Sequence, residues 1–259
     1  MKNIQLLLSV ALLLSATTLP AQDILWEKSY GGRQADLLFD VIATPDYGFI
    51  LAGSSFSGQT GNKLAEGHGN LDFCIWKMDE KGIQEWQKSF GGTGNDLLKS
   101  IQHTRDGGFI LGGTSNSDIS TQYGQMENKT ERCRGGNDYW VVKLNAHGQE
   151  IWQKTIGGTG QDDLIAVIPS RDGGYLLCGS SNSGVGGDKT SKGNGNLDYW
   201  IVKLNDDGKI VWQKSFGGKY ADILRSVTAT ADGGYILGGS SNSPQGDDKS
   251  TENYGKGSD

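Results

Sequence analysis

Residues 162–216 read DDLIAVIPSRDGGYLLCGSSNSGVGGDKTSKGNGNLDYWIVKLNDDGKIVWQKSF, and their punctuation decides the fold. Residues 164–170 (LIAVIPS) alternate and are rich in β-branched side chains, which predicts a strand. Arg171-Asp172-Gly173-Gly174 follows as a tight turn, because an Asp-Gly pair supplies the positive φ of a short hairpin. Residues 175–179 (YLLCG) predict a second, almost continuously apolar strand. A long polar loop fills 180–197. Residues 198–204 (DYWIVKL) predict a third strand, Asn205-Asp206-Asp207-Gly208 a second turn, and 209–216, with Trp212, a fourth strand. Four antiparallel strands joined as a meander make one blade of a β-propeller.

Outward from this unit the same phrase returns. W-x-K-(S/T)-(aromatic/Ile)-G-G-x-x-x-D is anchored at Trp26, Trp86, Trp152 and Trp212, with spacings of 60, 66 and 60 residues. A period of that length marks repeats that cover each other's apolar faces. The expected repeats are 26–85, 86–151, 152–211 and an incomplete 212–259. Consecutive large residues, as in 139–142 (YWVV) and 235–237 (YIL), predict strands buried on both faces, which a half-solvated sheet would not tolerate. Each aromatic is then worth about 150–250 Å² of burial between blades. A parallel β-helix is the alternative fold, but its coils are shorter and lack two Asp-Gly-type hairpins each. No helical periodicity exists.

The predicted fold is therefore an all-β propeller of four-stranded blades: three full blades plus partial ones. Residues 24–30 are expected to form an outer strand without a blade of its own. Asp259 falls at the place of Asp72, Asp138 and Asp198, just before a Tyr-Trp strand, so the expectation is a fragment of a larger ring. Exposed blade edges in an open arc invite self-association. In such a meander the Gly-Gly loops and the long loops emerge on one face, and the Asp-Gly-type turns on the other. Variable loops on a rigid scaffold are where binding concentrates.

Residues 1–21 have the layout of a secretory leader, with Lys2, an apolar run over 4–14 and a small residue at Ala21. That predicts a secreted or cell-surface protein with a mature repeat domain over 22–259. No stretch is apolar enough for a membrane span. With 41 glycines and only 4 prolines, the composition fits many tight turns. A net charge of −6 disfavours nucleic acid, whose phosphates would be repelled. Cys74 and Cys178 lie in apolar strands and Cys133 in a polar loop, which argues against a disulfide framework. His68, His103 and His147 lack zinc-ligand spacing.

The stretches 232–243 (DGGYILGGSSNS) and 198–218 (DYWIVKLNDDGKIVWQKSFGG) resemble repeats of large secreted Bacteroidota proteins. That resemblance covers essentially the whole chain after the leader and implies export by the type IX secretion system. The C-terminal sorting domain usual in that group has no counterpart in this sequence. Residues 204–212 (LNDDGKIVW) are also similar to the tryptophan-docking segment of quinoprotein-like propellers. This implies the fold without the quinone, whose binding residues have no match here.

Several groups are candidates for chemistry. Asp36, Asp96, Asp162 and Asp222 each open a first strand, so together they could ring a channel mouth and bind a cation or sugar hydroxyl, or act as acid and base. Their recurrence in every unit favours a structural role, as acceptors for backbone N–H groups of their own turns. The loops at 186–190 (GGDKT) and 246–250 (GDDKS) are oxygen-rich, which raises calcium. A lysine in the middle of each favours a solvated loop without a cofactor. The loop 118–137 is six residues longer than its counterparts and carries Tyr123, Met126, Arg132 and Arg134. Breaking the repeat makes Tyr123, Arg132 and Arg134 candidates for a specific contact. Asn128 opens a glycosylation sequon. Lys77, Lys143 and Lys203 sit in apolar strands and are expected to pair with a carboxylate or snorkel. No G-x-S-x-G, P-loop or HExxH pattern occurs. The expected function is a non-catalytic scaffold binding a glycan, a protein or another surface component through its long loops. The rivals are a polysaccharide lyase or glycosidase using channel carboxylates, and a passive spacer for a further domain.

Overall fold

The computed structural model describes residues 24–119 and 128–254. Its elements are all strands, arranged in three four-stranded antiparallel sheets and one pair. The first sheet is β1 (Asp36–Ala43), β2 (Phe49–Ser55), β3 (Asp72–Met78) and β4 (Gln84–Phe90). The second is β5 (Asp96–His103), β6 (Phe109–Ser115), β7 (Asp138–Leu144) and β8 (Glu150–Ile156). The third is β9 (Asp162–Pro169), β10 (Tyr175–Ser181), β11 (Asp198–Leu204) and β12 (Ile210–Phe216). β13 (Asp222–Ala229) pairs with β14 (Tyr235–Ser241). Each sheet is a simple meander, as the turn spacing predicts.

Both faces of the middle strands are buried, and adjacent residues prove it. In β6, Leu111 joins the core between the first and second sheets, whereas Ile110 joins the core between the second and third. In β7, Trp140 and Tyr139 divide in the same way. Phe73 lies 4.6 Å from Trp140 between ring centroids, and Tyr139 lies 4.9 Å from Trp200. The Tyr139 hydroxyl donates to the Trp200 carbonyl at 2.9 Å, so its one polar atom is satisfied in the core.

The sheets are joined by more than apolar contact. The first strand of each unit carries a bulge, between Leu98 and Ser100 in β5 for instance, which frees a backbone N–H from the ladder. The preceding sheet supplies the acceptor. Leu98 N–H donates to Ser54 Oγ at 2.8 Å, Leu164 N–H to Thr114 Oγ1 at 3.0 Å and Leu224 N–H to Ser180 Oγ at 2.9 Å. Those three leucines are fully buried, whereas Leu38, the equivalent in β1, is 58% exposed.

Tryptophan docking supplies a second joint. The Trp152 ring seats on the turn between β11 and β12, where its Nε1 donates to the Asp206 carbonyl at 3.0 Å. Gly208 has φ of 76°, and a Cβ there would meet the indole at 3.2 Å, so glycine is needed twice over. Trp86 makes the same approach to Gly148, and Trp26 to Gly82. Residues 24–30, expected as an outer strand, form no strand. Among the described residues they join no sheet ladder. They are held instead by side chains: Trp26 stacks on Phe49, and Lys28 Nζ donates to the Lys81 and Gly82 carbonyls at 2.9 Å.

Candidate binding cleft between the first strands

The Gly-Gly loops and long loops do share one face, and hydrogen bonds bind them. Arg33 N–H donates to Thr60 Oγ1 at 2.9 Å, and Asn62 N–H to the Gly31 carbonyl at 3.1 Å. The four repeat aspartates serve this junction. Oδ2 of Asp36, Asp96, Asp162 and Asp222 accepts the second-glycine N–H of its own loop at 2.8, 2.9, 2.8 and 2.8 Å. Ser117, Ser183 and Ser243 donate to the last three at 2.7 to 2.9 Å. Asp96 and Asp162 are fully buried, so these carboxylates fasten turns at a depth away from solvent.

A second aspartate meets each loop from the preceding sheet. Asp72, Asp138 and Asp198 open β3, β7 and β11 and accept N–H groups of His68, Arg134 and Asn194. Their Oδ1 atoms are buried without a hydrogen-bond partner among the described residues. Burial therefore pushes these carboxyls up, Asp72 to about 7 and Asp138 to about 6, with Asp96 and Asp162 adding repulsion. The opposing charge comes from inside the protein. Lys63, Lys129 and Lys189, from the long loops, are 1% exposed. Lys189 Nζ donates to Ser181 and Ser215 at 3.0 and 3.1 Å and lies 5.0 Å from the Trp200 ring centre. Burial holds the Lys129 and Lys189 ammoniums below the usual lysine range, while Asp138 and Asp198 respectively are among the carboxylates pulling them back. Of the two loops expected to be solvated, 186–190 turns its lysine, Lys189, inward, while Lys249 of 246–250 is half-buried and donates to the Ser243 carbonyl at 2.9 Å. Lys189 and Lys249 thus occupy the middle of the two oxygen-rich loops considered for calcium.

The longer second loop divides its candidates. Arg134 is a tether between sheets, with Nε 2.9 Å from Asp188 Oδ2 and Nη1 donating to the Thr155 carbonyl at 2.8 Å. Arg132 is exposed and lies 3.4 Å from Asp118. Tyr123 lies outside the described residues. The Asn128 amide, proposed for the sequon, is engaged on both sides, donating to the Ser89 carbonyl and accepting from Gly91 N–H at 2.7 Å each. The strand lysines pair as expected: Lys77 with Asp46 and Glu85, Lys143 with Asp106, and Lys203 with Asp172, at 2.6 to 2.9 Å.

What repeat logic passed over is a cleft of about 450 Å³ between β5, β9 and β13, one end of which is lined by residues at the long-loop side. Its volume is in the range of small-ligand sites, roughly 300–1,000 Å³. Lys99, Asp163 and Arg225 line it, with Asn95, Asn116 and Asn137 at the loop end and Leu97, Ile165 and Ile223 along the strands. Asp163 Oδ1 accepts Asn137 Nδ2 at 2.8 Å. These charges break the repeat. The third place after the repeat aspartate reads Phe39, Lys99, Ile165 and Arg225, and the first reads Leu37, Leu97, Asp163 and Ile223. Laying the four units in register would have found them.

No family model matches the chain. The chain is similar to Regulatory protein FlaEY of Caulobacter vibrioides, at 23% identity over 181 residues. That match covers 68% of this chain and 19% of the Caulobacter protein. The chain thus spans about a fifth of the length of the curated relative it matches.

Proposed function

We propose that this chain is the repeat domain of an exported, non-catalytic β-propeller that binds a glycan or protein through the face bearing its long loops. The observation that carries this reading is the cleft that reaches that face at one end, in which irregular charged and amide side chains converge on a rigid sheet scaffold. The leader-like residues 1–21 support export. The stack of blade-like sheets with tryptophan joints supports a propeller ring. The repeat aspartates Asp96 and Asp162, which a lyase or glycosidase would need exposed to substrate, are fully buried, each with Oδ2 accepting a backbone N–H of its own loop. The Caulobacter protein is named for regulation, which carries no reaction to transfer.

A glycan array and a pull-down with the full-length protein test the reading, and a bound ligand without turnover is expected. Polysaccharide cleavage by the purified protein would overturn it. Asp96→Asn and Asp162→Asn distinguish the rivals: lost stability supports the turn-fastening role, whereas lost turnover with an intact fold supports the enzyme.

A further inference from the structure

Granted the binding reading above, on which this inference rests, the charge of the cleft decides the ligand class. The whole chain carries −6. The cleft lining runs the other way, with the cations Lys99 and Arg225 against the single carboxylate of Asp163. Among the described residues neither cation forms an ion pair. Lys99 Nζ lies 4.4 Å from the Phe39 ring centre, a weak substitute for a counter-ion. Burial lowers the affinity of Lys99 for its proton, with Asp163 opposing. An ammonium already partly stripped of water gains more from an incoming anion than a solvated one. Arg225 is exposed, and its planar fork matches a carboxylate by two parallel hydrogen bonds.

The remaining lining narrows the class. One surplus positive charge suits a monoanionic carboxylate better than a doubly charged phosphate. Asn116 spends its Oδ1 on Asn95 N–H at 2.7 Å, leaving its Nδ2 to donate. The Asn95 side-chain amide makes no hydrogen bond among the described residues, so it offers both a donor and an acceptor. That mixture fits hydroxyl groups, which donate and accept together. Leu97, Ile165 and Ile223 offer an apolar wall to ring C–H groups.

We propose that the cleft binds a carboxylated sugar, the uronate unit of an acidic glycan. Lys99 and Arg225 take the carboxylate, Asn95 and Asn116 take ring hydroxyls, and Leu97, Ile165 and Ile223 take the apolar ring face.

Calorimetry with the full chain tests this against trimers of galacturonate, glucuronate and mannuronate, a galactose trimer, inorganic phosphate and a triglutamate peptide. At least one uronate trimer is expected to bind about tenfold or more tightly than the others outside that class, and to weaken with salt. Arg225→Met and Lys99→Met should each lose about tenfold, the loss of one charge-assisted contact. Arg225 is exposed, so an unchanged melting curve certifies the fold of that variant. Asp163→Asn keeps an oxygen for Asn137 and removes the repulsion, so it should tighten uronate binding. Equal binding of acidic and neutral trimers, preference for peptide or phosphate, or indifference to Arg225→Met overturns the proposal. So does failure of every uronate trimer. The array and pull-down then separate the two claims: another ligand there leaves the binding reading standing, and none removes both.

Discussion

Replacing Ser54 with Ala should loosen the joint between the first and second sheets. Ser54 is 1% exposed, accepts Leu98 N–H at 2.8 Å and donates to the Asp96 carbonyl at 3.1 Å. Alanine keeps the β-carbon but removes both partners. The Leu98 N–H is then orphaned at a bulge, where the sheet ladder cannot take it back. A buried unsatisfied group costs about 1–3 kcal/mol, and the carbonyl adds a smaller amount, so the loss should be about 3 kcal/mol. At about 2–4 °C per kcal/mol for a domain of this size, the melting temperature should fall by about 6–12 °C. A urea titration with unchanged m value would measure the loss. Native-state hydrogen exchange would locate it, with the Leu98 amide losing protection more than amides inside β10 or β11. If stability holds to within a few tenths of a kcal/mol and Leu98 stays protected, the hydroxyl is not the joint, and the case for polar fastening of these sheets falls.

Gly208→Ala forces a side chain onto a residue at φ 76° and presses its Cβ on the Trp152 indole. A loss of about 1–2 kcal/mol from the backbone alone is expected, with a red shift in tryptophan emission, and an unshifted spectrum at full stability would refute the docking. Asp72 and Asp138 give the protein an acid-side preference. Their folded values of about 7 and about 6 lie above the ordinary 3.8, through burial first and Asp96 or Asp162 second. The folded state then keeps protons that the unfolded chain releases. This contribution to stability is fully present below about pH 4 and is lost as pH rises through about 6–7. Asp72→Asn should lessen the fall of the melting temperature between those limits, leaving the share of Asp138; an identical slope in the variant would count against the assignment.

Much of the architecture was legible in residues 162–216. Strand and turn chemistry are local: Asp-Gly sets the hairpin φ, and consecutive apolar residues in 139–142 require cover on both faces. Lys77, Lys143 and Lys203 were readable for the same reason, since an ammonium in an apolar strand must find a carboxylate. Residues 24–30 were misjudged because their tryptophan phrase matches true outer strands, whereas a strand needs a neighbour to bond with and side-chain anchors do not supply one.

The sequence by itself determined the repeating four-strand unit, the two-sided burial and the side on which the long loops emerge, because these follow from period, turn residues and alternation. Tertiary structure decided where the charges went. Nothing local says that Lys63, Lys129 and Lys189 fold inward; that depends on a tryptophan face and aspartates brought together only when sheets stack. Nor does the chain order bring Lys99, Asp163 and Arg225 to one cleft. They sit on three different strands, and only the packing of β5 and β13 beside β9 places three side chains, far apart in sequence, around a common space.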